Sequence, residues 1–107
     1  MNGKISVNDL RRKVSDFRDR RGWLKYHTPK NLAISIAIET AELLEHFQWQ
    51  TDEEIANQLK LDRKRADVSD ELADVMIYCL SLSDILHIDL AGAINHKIRK
   101  NAGKYPP

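Results

Sequence analysis

The sequence predicts an all-α protein, built as a four-helix-type bundle with one additional short helix. Residues 30–91 contain neither glycine nor proline, and a stretch without them is difficult to fold into a β structure with many turns. Apolar residues recur at helical spacing, and residues typical of helix N-termini precede several of these segments. These observations together favour helices throughout the chain.

The first two helices are predicted in the N-terminal half. Residues 6–22 form the first helix, because four apolar residues recur there at helical spacing. Thr28 and Pro29 supply an N-cap and a proline at the first helical position, so the second helix begins there and runs through Trp49. The apolar residues of the first helix are Val7, Leu10, Val14 and Phe17.

Three further helices are predicted in the second half. Thr51 followed by Glu54 is a capping-box pattern that opens a short helix. Asp62 and Asp89 are the N-cap residues expected for the next two helices, and Gly103 suits the position after the last one. The predicted ranges are 51–60, 62–86 and 89–103.

The charge balance argues against a protein held on nucleic acid. The chain has 107 residues, with 17 basic and 16 acidic side chains and a formal net charge of +1. This length predicts one domain over residues 1–107, with its core within 5–104. The basic residues of segments 11–13 and 18–21 are interpreted as a solvated helix face, and a nucleic-acid partner is not expected.

Cysteine usage and hydropathy predict a cytoplasmic location. The single cysteine, Cys79, cannot form an internal disulfide or build a thiolate metal site. No run of about 18 apolar residues is present, and no basic and then apolar leader begins the sequence. We therefore expect a soluble protein without membrane association. Because helices that are apolar on several sides need covering in so small a domain, we also expect a dimer or a dimer of dimers.

Two pairs of acids interrupt the most apolar helices. Glu39 and Glu42 follow one apolar run, and Glu71 and Asp74 precede another. Residues three apart share one face of a helix, so antiparallel packing of the two helices would bring all four carboxylates together. Carboxylates brought close in an apolar setting require protons or cations. Oxygen ligands suit hard ions, above all Mg²⁺ or Mn²⁺.

Other interpretations of the acids remain open. Glu-x-x-Glu is common on solvated helix faces, although the Ile, Leu, Val and Met residues around these pairs argue against that position. A di-iron bundle uses Glu-x-x-His pairs, and no histidine follows one of the four acids by three residues. A non-catalytic helical interaction module is a further alternative. The nearby acids Glu45 and Asp70 fit either solvent-facing positions or positions beside the ligands.

Aromatic residues suggest a place for a nucleobase. Trp23 and Trp49 offer indole faces on which a base can stack, although tryptophan also fills the core of small bundles. Tyr78 lies one helical turn beyond Asp74 and on the same face. A tyrosine at this position can reach a molecule bound at the acids, or its ring can belong to the core.

The acids and their surroundings resemble the MazG-like nucleotide pyrophosphohydrolases. Glu39-x-x-Glu42 is separated by 28 residues from Glu71-x-x-Asp74, as in the signature of that all-α superfamily. Further stretches resemble the short single-domain branch that includes dCTP pyrophosphatases, and the resemblance covers residues 8–106. These stretches are residues 23–32, 47–52 and 74–78 and the terminal Lys97, Asn101 and 104–106.

The resemblance implies a Mg²⁺-dependent enzyme that hydrolyses nucleoside triphosphates to the monophosphate and pyrophosphate. It implies that the four acids are the metal ligands, and that part of the nucleotide pocket comes from a neighbouring subunit. Val14 departs from some dCTP-selective relatives, which carry histidine there. The nucleotide-binding residues that the resemblance implies are Trp23, His27, Asn31, Trp49, Tyr78, Lys97, Asn101, Lys104 and Tyr105.

The chemistry of a triphosphate also suits the acids. A triphosphate carries about four negative charges, so it can approach four carboxylates only with divalent cations between them. Such cations orient the phosphates and lower the pKa of a water that attacks the α-phosphorus. Any of the four carboxylates is a candidate to accept the proton of that water.

Overall fold

The computed structural model describes residues 4–107, which form helices joined by short connections. No strand occurs in this part of the chain, so the prediction of an all-α protein is confirmed. Four longer helices and one short helix match the predicted number. The helices are α1 (Val7–Arg20), α2 (Pro29–Glu45), α3 (Asp52–Gln58), α4 (Asp62–Ile85) and α5 (Leu90–Lys104), and a 3₁₀ turn occupies Leu24–Tyr26.

Side-chain caps fix most helix starts where the sequence predicted them. Thr28 accepts a hydrogen bond from the backbone N–H of Asn31, and Asp89 accepts one from Gly92. Thr51 and Glu54 form the predicted capping box. These residues satisfy backbone N–H groups that lack a partner within the helix.

Three predicted helix boundaries are wrong. Gly103 lies inside α5, which runs to Lys104 with Tyr105 as its C-cap, rather than after the end of that helix. The N-cap of α4 is Leu61, and Asp62 lies in the first turn instead, where a negative charge still suits the helix dipole. The second helix ends at Glu45 rather than at Trp49. Thr51 has extended backbone angles as the N-cap of α3, so the chain must leave the helical conformation before that residue.

Helices α2 and α4 pack side by side in opposite directions. Just before α2, Nδ1 of His27 lies 3.3 Å from Oγ of Ser81, near the end of α4. At the other end, Nζ of Lys64 lies 3.1 Å from Nδ1 of His46. This arrangement is the one that the acid pairs require in order to meet.

Helix α1 packs on the C-terminal half of α4 through charged residues. Nη1 of Arg11 lies 2.6 Å from Oδ1 of Asp84, and Nη1 of Arg18 lies 3.0 Å from Oδ2 of the same carboxylate. Arg18 is only 5% exposed, so the prediction that residues 18–21 form a solvated face is wrong at this position. Its side chain leaves solvent because Asp84 supplies a counter-charge within the bundle.

The single chain leaves much apolar surface uncovered. Its accessible surface is 8276 Å², whereas a folded monomer of this size exposes about 6,100 Å². Its radius of gyration is 16.7 Å, compared with about 13 Å for a compact domain of this length. Among the described apolar residues, Leu32 and Leu80 are the buried ones. The chain alone is therefore more open than a self-sufficient small domain.

Hydropathy gives one further finding. Taken singly, the helices within residues 4–107 are too short or too polar to span a bilayer, and α4 with α5 reaches the required length and hydropathy only in combination, across a bend of 104°.

Candidate metal centre and adjoining cavity

Helices α2 and α4 bring the predicted acids together. Ligand oxygens of Glu39, Glu42 and Glu71 all lie within 4.8 Å of one another. Asp74 stands one turn beyond Glu71 and lines the same cavity as Glu39. Glu39 and Glu71 are half-buried, whereas Glu42 and Asp74 are exposed. Glu39, Glu42 and Glu71 offer ligand atoms to one possible site, Asp74 lies beside them, and we call these four residues the acid cluster.

The acid cluster holds its negative charges without a basic side chain beside them. None of the ion pairs formed by residues 4–107 includes one of the four acids. One carboxylate oxygen, Oε2, of Glu39 and the corresponding oxygen of Glu71 are buried and accept no hydrogen bond. Buried acceptors without partners are unfavourable and are typical of a site that binds something else.

The pKa values reflect this crowding. Burial, followed by the interaction with Glu42 and the charges of Asp74 and Glu71, raises the pKa of Glu39 to about 7. Burial and the charges of Glu42 and Asp74 also raise the pKa of Glu71. Ionisation of all the carboxylates in the cluster is therefore unfavourable at neutral pH, and a divalent cation would offset their repulsion.

The donor set fits a hard cation. All four residues offer carboxylate oxygens, and the two buried oxygens without partners are free to coordinate an ion. Oxygen donors of this kind suit Mg²⁺ and Mn²⁺. His46 is the histidine nearest in sequence to Glu42, and its Nδ1 lies 3.1 Å from Nζ of Lys64. A di-iron site of the Glu-x-x-His type therefore lacks its histidine among these residues.

A cavity of about 340 Å³ adjoins the acid cluster between α1 and α4. Its wall is largely aromatic: the ring centroids of Phe17 and Trp23 are 5.7 Å apart, those of Trp23 and His27 6.3 Å, and those of His27 and Tyr78 6.4 Å. The cavity thus joins an apolar and aromatic region to the acids. The lining residues are Val14, Phe17, Trp23, His27, Glu39, Asp74, Ile77, Tyr78 and Ser81.

Six of the predicted nucleotide-binding residues do not line this cavity in the single chain. Asn31 donates from its side-chain amide to the carbonyl of Tyr26 and fixes the turn before α2. Trp49 is 85% exposed, in the turn before α3. The other four lie in or just after the exposed last turns of α5, and they are Lys97, Asn101, Lys104 and Tyr105.

Three cavity residues had no predicted role. Phe17 was interpreted only as part of the apolar face of α1, because spacing along one helix does not say what that face contacts. Ile77 and Ser81 belong to α4, where Ser81 stands one turn beyond Tyr78. Glu71, Asp74 and Tyr78 follow one another at intervals of one helical turn. Extending this spacing by one more turn could have added Ser81 to the predicted site.

Comparisons with known proteins agree with the geometry. The model of the MazG-like family matches residues 34–107. A protein named dCTP pyrophosphatase 1 is 38% identical in Homo sapiens and 37% identical in Rattus norvegicus, each over 101 residues and 94% of this chain. The chain spans about three-fifths, 59%, of the length of these relatives.

A solved structure extends the likeness to the whole fold. The crystal structure of a pyrophosphatase from Archaeoglobus fulgidus superposes with a TM-score of 0.87 at 46% sequence identity. The match covers 100% of this chain and 98% of that chain. Together with the family match over residues 34–107, this likeness identifies the chain as a member of the MazG-like family.

Proposed function

We propose that the protein is a Mg²⁺-dependent nucleoside triphosphate pyrophosphohydrolase, which converts nucleotides such as dCTP to the monophosphate and pyrophosphate. The observation that carries this proposal is the acid cluster, which lacks a cation from the protein and opens into an aromatic cavity. The names of the relatives, dCTP pyrophosphatase and pyrophosphatase, support the same reaction. Removal of nucleotides from the cytoplasmic pool is the proposed role.

The acid cluster would hold the metal. Glu39, Glu42, Glu71 and Asp74 offer the carboxylate oxygens, and Mn²⁺ is the natural substitute because it prefers the same donors. When bound, Mg²⁺ supplies positive charge to the phosphate oxygens and lowers the pKa of a nearby water. Two unpartnered buried oxygens support this assignment independently of the relatives.

The protein side chains position the two ends of the substrate. Trp23 is 42% exposed and offers a ring face to the cavity, where a base can stack. Along α4, Tyr78 lies between Asp74 and Ser81, about one turn from each. The nucleoside would therefore occupy the aromatic end of the cavity, with the phosphates directed toward the acids.

The proposed reaction is a displacement at the α-phosphorus. The oxygen of water forms a bond to that phosphorus while the bond to the oxygen bridging the α and β phosphates breaks, so pyrophosphate leaves. A carboxylate of the acid cluster accepts the proton of the water. In-line attack requires the nucleobase and the phosphates to be held at the same time. This explains why one cavity contains both aromatic residues and acids.

We also propose that the active form is a homo-oligomer, a dimer or a dimer of dimers. The surface excess of the single chain over a compact monomer is about 2,000 Å², which exceeds the roughly 800 Å² that each partner buries in a standard interface. Exposed apolar side chains on α2 and α4, including Ile34 and Met76, are candidates for this contact. A neighbouring chain would bring Trp49 and the end of α5 toward the cavity.

Product analysis tests the reaction. Purified protein is incubated with Mg²⁺ and a panel of nucleoside triphosphates in water enriched in heavy oxygen. We expect a monophosphate and pyrophosphate, with the heavy oxygen in the monophosphate. Heavy oxygen in pyrophosphate or orthophosphate would refute attack at the α-phosphorus, and a protein that neither hydrolyses nor binds any nucleotide would favour the interaction-module alternative.

Sedimentation analysis tests the oligomer. A charged side chain at an exposed apolar position, Ile34→Asp, should weaken association and activity together while the four acids stay in place. The matched control is Lys30→Asp, an equally drastic change at an exposed polar position one turn earlier in α2. A folded monomer with full activity would refute a pocket shared between subunits.

A further inference from the structure

Arg18 is a buried cation close to the cavity but outside the acid cluster. Its side chain is 6% exposed, and its Nε lies 2.9 Å from Oδ1 of Asp19. Its Nη1 lies 3.0 Å from Oδ2 of Asp84, an ion pair that does not have hydrogen-bond alignment. Burying a guanidinium is costly unless it is paired, so this position needs an explanation.

The Arg18–Asp84 pair lies beside the cavity. On α1, Arg18 follows the cavity residue Val14 by one turn, and on α4, Asp84 follows the cavity residue Ser81 by one turn. Ten residues separate Asp84 from Asp74, which is about 15 Å along a helix. The pair therefore joins α1 to α4 beside the cavity, with the Asp84 carboxylate on the side remote from the acids.

The aromatic wall of the cavity is attached to the same point. The backbone N–H of Trp23 donates to the carbonyl of Arg18 over 3.1 Å. His27 contacts Oγ of Ser81, which is 1% exposed. Burial first, and then the charge of Arg18, lowers the pKa of His27, so the imidazole is neutral and keeps one donor and one acceptor nitrogen.

Packing alone does not hold this wall. Phe17 is 51% exposed and Trp23 42% exposed, and the Arg21 guanidinium, 3.4 Å from the centroid of the Phe17 ring, covers part of this surface from the same end of α1. The Arg18 guanidinium, by contrast, contacts Asp19 through Nε and Asp84 through Nη1. The contact with Asp19, the next residue on α1, orients the guanidinium, and the ion pair with Asp84 is the contact of Arg18 that joins α1 to α4.

We propose that Arg18 is a positioning residue for the nucleoside end of the cavity. Arg11 fixes the first half of α1 on α4, and the ion pair of Arg18 with Asp84 fixes the last turn of α1, from which the chain continues to Trp23 and His27. This inference rests on the proposed function and adds to it a residue that does not contact the phosphates or the metal. Loss of the pair should weaken recognition of the nucleoside and leave the phosphate end unchanged.

The variant Arg18→Met tests this role with little damage to the fold. Methionine keeps an unbranched apolar side chain in place of the arginine stem, and Asp84 keeps Arg11 at 2.6 Å, so no buried carboxylate loses its only partner. The matched control is Arg12→Met on the same helix, which removes an ion pair with Asp9 on the solvent side. Arg18→Lys keeps the positive charge and should restore part of the nucleoside recognition that Arg18→Met loses.

Two ligands separate the ends of the site. The KM and kcat for dCTP report the whole site, whereas the inhibition constant of Mg²⁺ tripolyphosphate reports the phosphate end alone. We expect Arg18→Met to raise the KM for dCTP about tenfold, with kcat and the tripolyphosphate constant within about twofold of the parent protein. Arg12→Met should match the parent in all three quantities.

The outcomes distinguish the two proposals. A parent protein without turnover would overturn the proposed function, and this inference with it. Turnover by the parent with an unchanged KM in Arg18→Met, or an equal loss of dCTP and tripolyphosphate binding, would overturn the positioning role alone. If Arg18→Met does not fold, Asp84→Asn must give the same selective rise in KM, and its failure to do so would overturn the inference.

Discussion

The middle and the C-terminal end of the long helix α4 hold carboxylates in opposite ways. Near its middle, Glu71 and Asp74 face further acids from α2, and burial with these charges raises the pKa of Glu71. Near its end, Asp84 is paired with Arg11 and Arg18 from α1. Burial raises the pKa of Asp84, but the two arginines outweigh it, so the pKa lies below its ordinary value.

The difference shows how one helix separates binding from structure. The carboxylate of Asp84 has its cations within the protein, so it stabilises the packing of α1 on α4. The acid cluster forms no ion pair among residues 4–107, and we propose that it takes its cation from solution. Asp84 and the cluster acids Glu71 and Asp74 all lie among apolar residues of α4. The helix packed against each of them therefore decides its role: α1 supplies arginines to Asp84, and α2 supplies further acids to Glu71 and Asp74.

The largest expected effect is on turnover when the acid cluster loses a charge. Glu71→Gln removes one ligand oxygen's charge with almost no change in volume, so the metal should bind poorly. We expect a fall in kcat/KM of about 1,000-fold or more, on the scale of losing metal catalysis. Steady-state hydrolysis of dCTP measures this fall in kcat/KM. The melting temperature of the metal-free variant should equal or exceed that of the parent protein, because a repulsive charge is lost.

Its control is a matched change outside the cluster. Glu53→Gln replaces an exposed acid in the first turn of α3 and should leave turnover within about twofold, because only a weak helix-dipole interaction is lost. Near-normal activity in amide variants of two of the four cluster acids would contradict the assignment of the cluster as the metal site.

The second effect is stabilisation by the metal. Mg²⁺ at about 100 times its dissociation constant should add about 2.7 kcal/mol to the free energy of unfolding, which thermal denaturation would detect as a rise of about 10 °C or more. Glu39→Gln should reduce that rise, whereas Asp84→Asn should keep it. An equal response of both variants would mean that Mg²⁺ does not bind at the acid cluster.

A third and smaller effect concerns the aromatic wall. Trp23→Ala should weaken nucleotide binding by about 1 to 3 kcal/mol, the scale of one base–aromatic stack. Calorimetry with a slowly hydrolysed dCTP analogue measures this, and Mn²⁺ binding should be unchanged. Trp49→Ala offers a comparison, because Trp49 can affect the nucleotide only if a neighbouring chain brings it to the cavity.

The sequence predicted the features that are encoded locally. Capping residues such as Thr28 and Thr51 act within one turn, so they mark helix starts reliably. The acids at i and i+3 on two helices were recognised because one short spacing places both members of a pair on one face. The family likeness added the same four acids and was confirmed by the family match.

The features that depend on two helices were missed. Arg18 was interpreted as solvated, because nothing within residues 18–21 shows that Asp84 lies opposite. Phe17 and Ser81 were not assigned to the site for a similar reason, since the cavity exists only between α1 and α4. The end of α2 was placed at Trp49 because the intervening residues carry no breaker, although the N-cap of α3 requires an extended chain there.

The last expected effect is a difference in pH dependence between the two kinds of carboxylate, measured on metal-free protein by denaturant titration. The folded-state pKa of Glu39 is raised from 4.5 to about 7, so its stabilising protonated form is fully present below pH 4.5 and lost as pH rises through 7. The pKa of Asp84 is lowered from 3.8, so its contribution is present above pH 3.8 and lost only in stronger acid.

Stability of the metal-free protein should therefore decline between pH 4.5 and 7.5, Glu39→Gln should flatten that decline, and Asp84→Asn should alter only the acid limb. Saturating Mg²⁺ should also abolish the decline, because it binds the ionised carboxylates; a decline that persists unchanged in Glu39→Gln would show that the acid cluster is not its source.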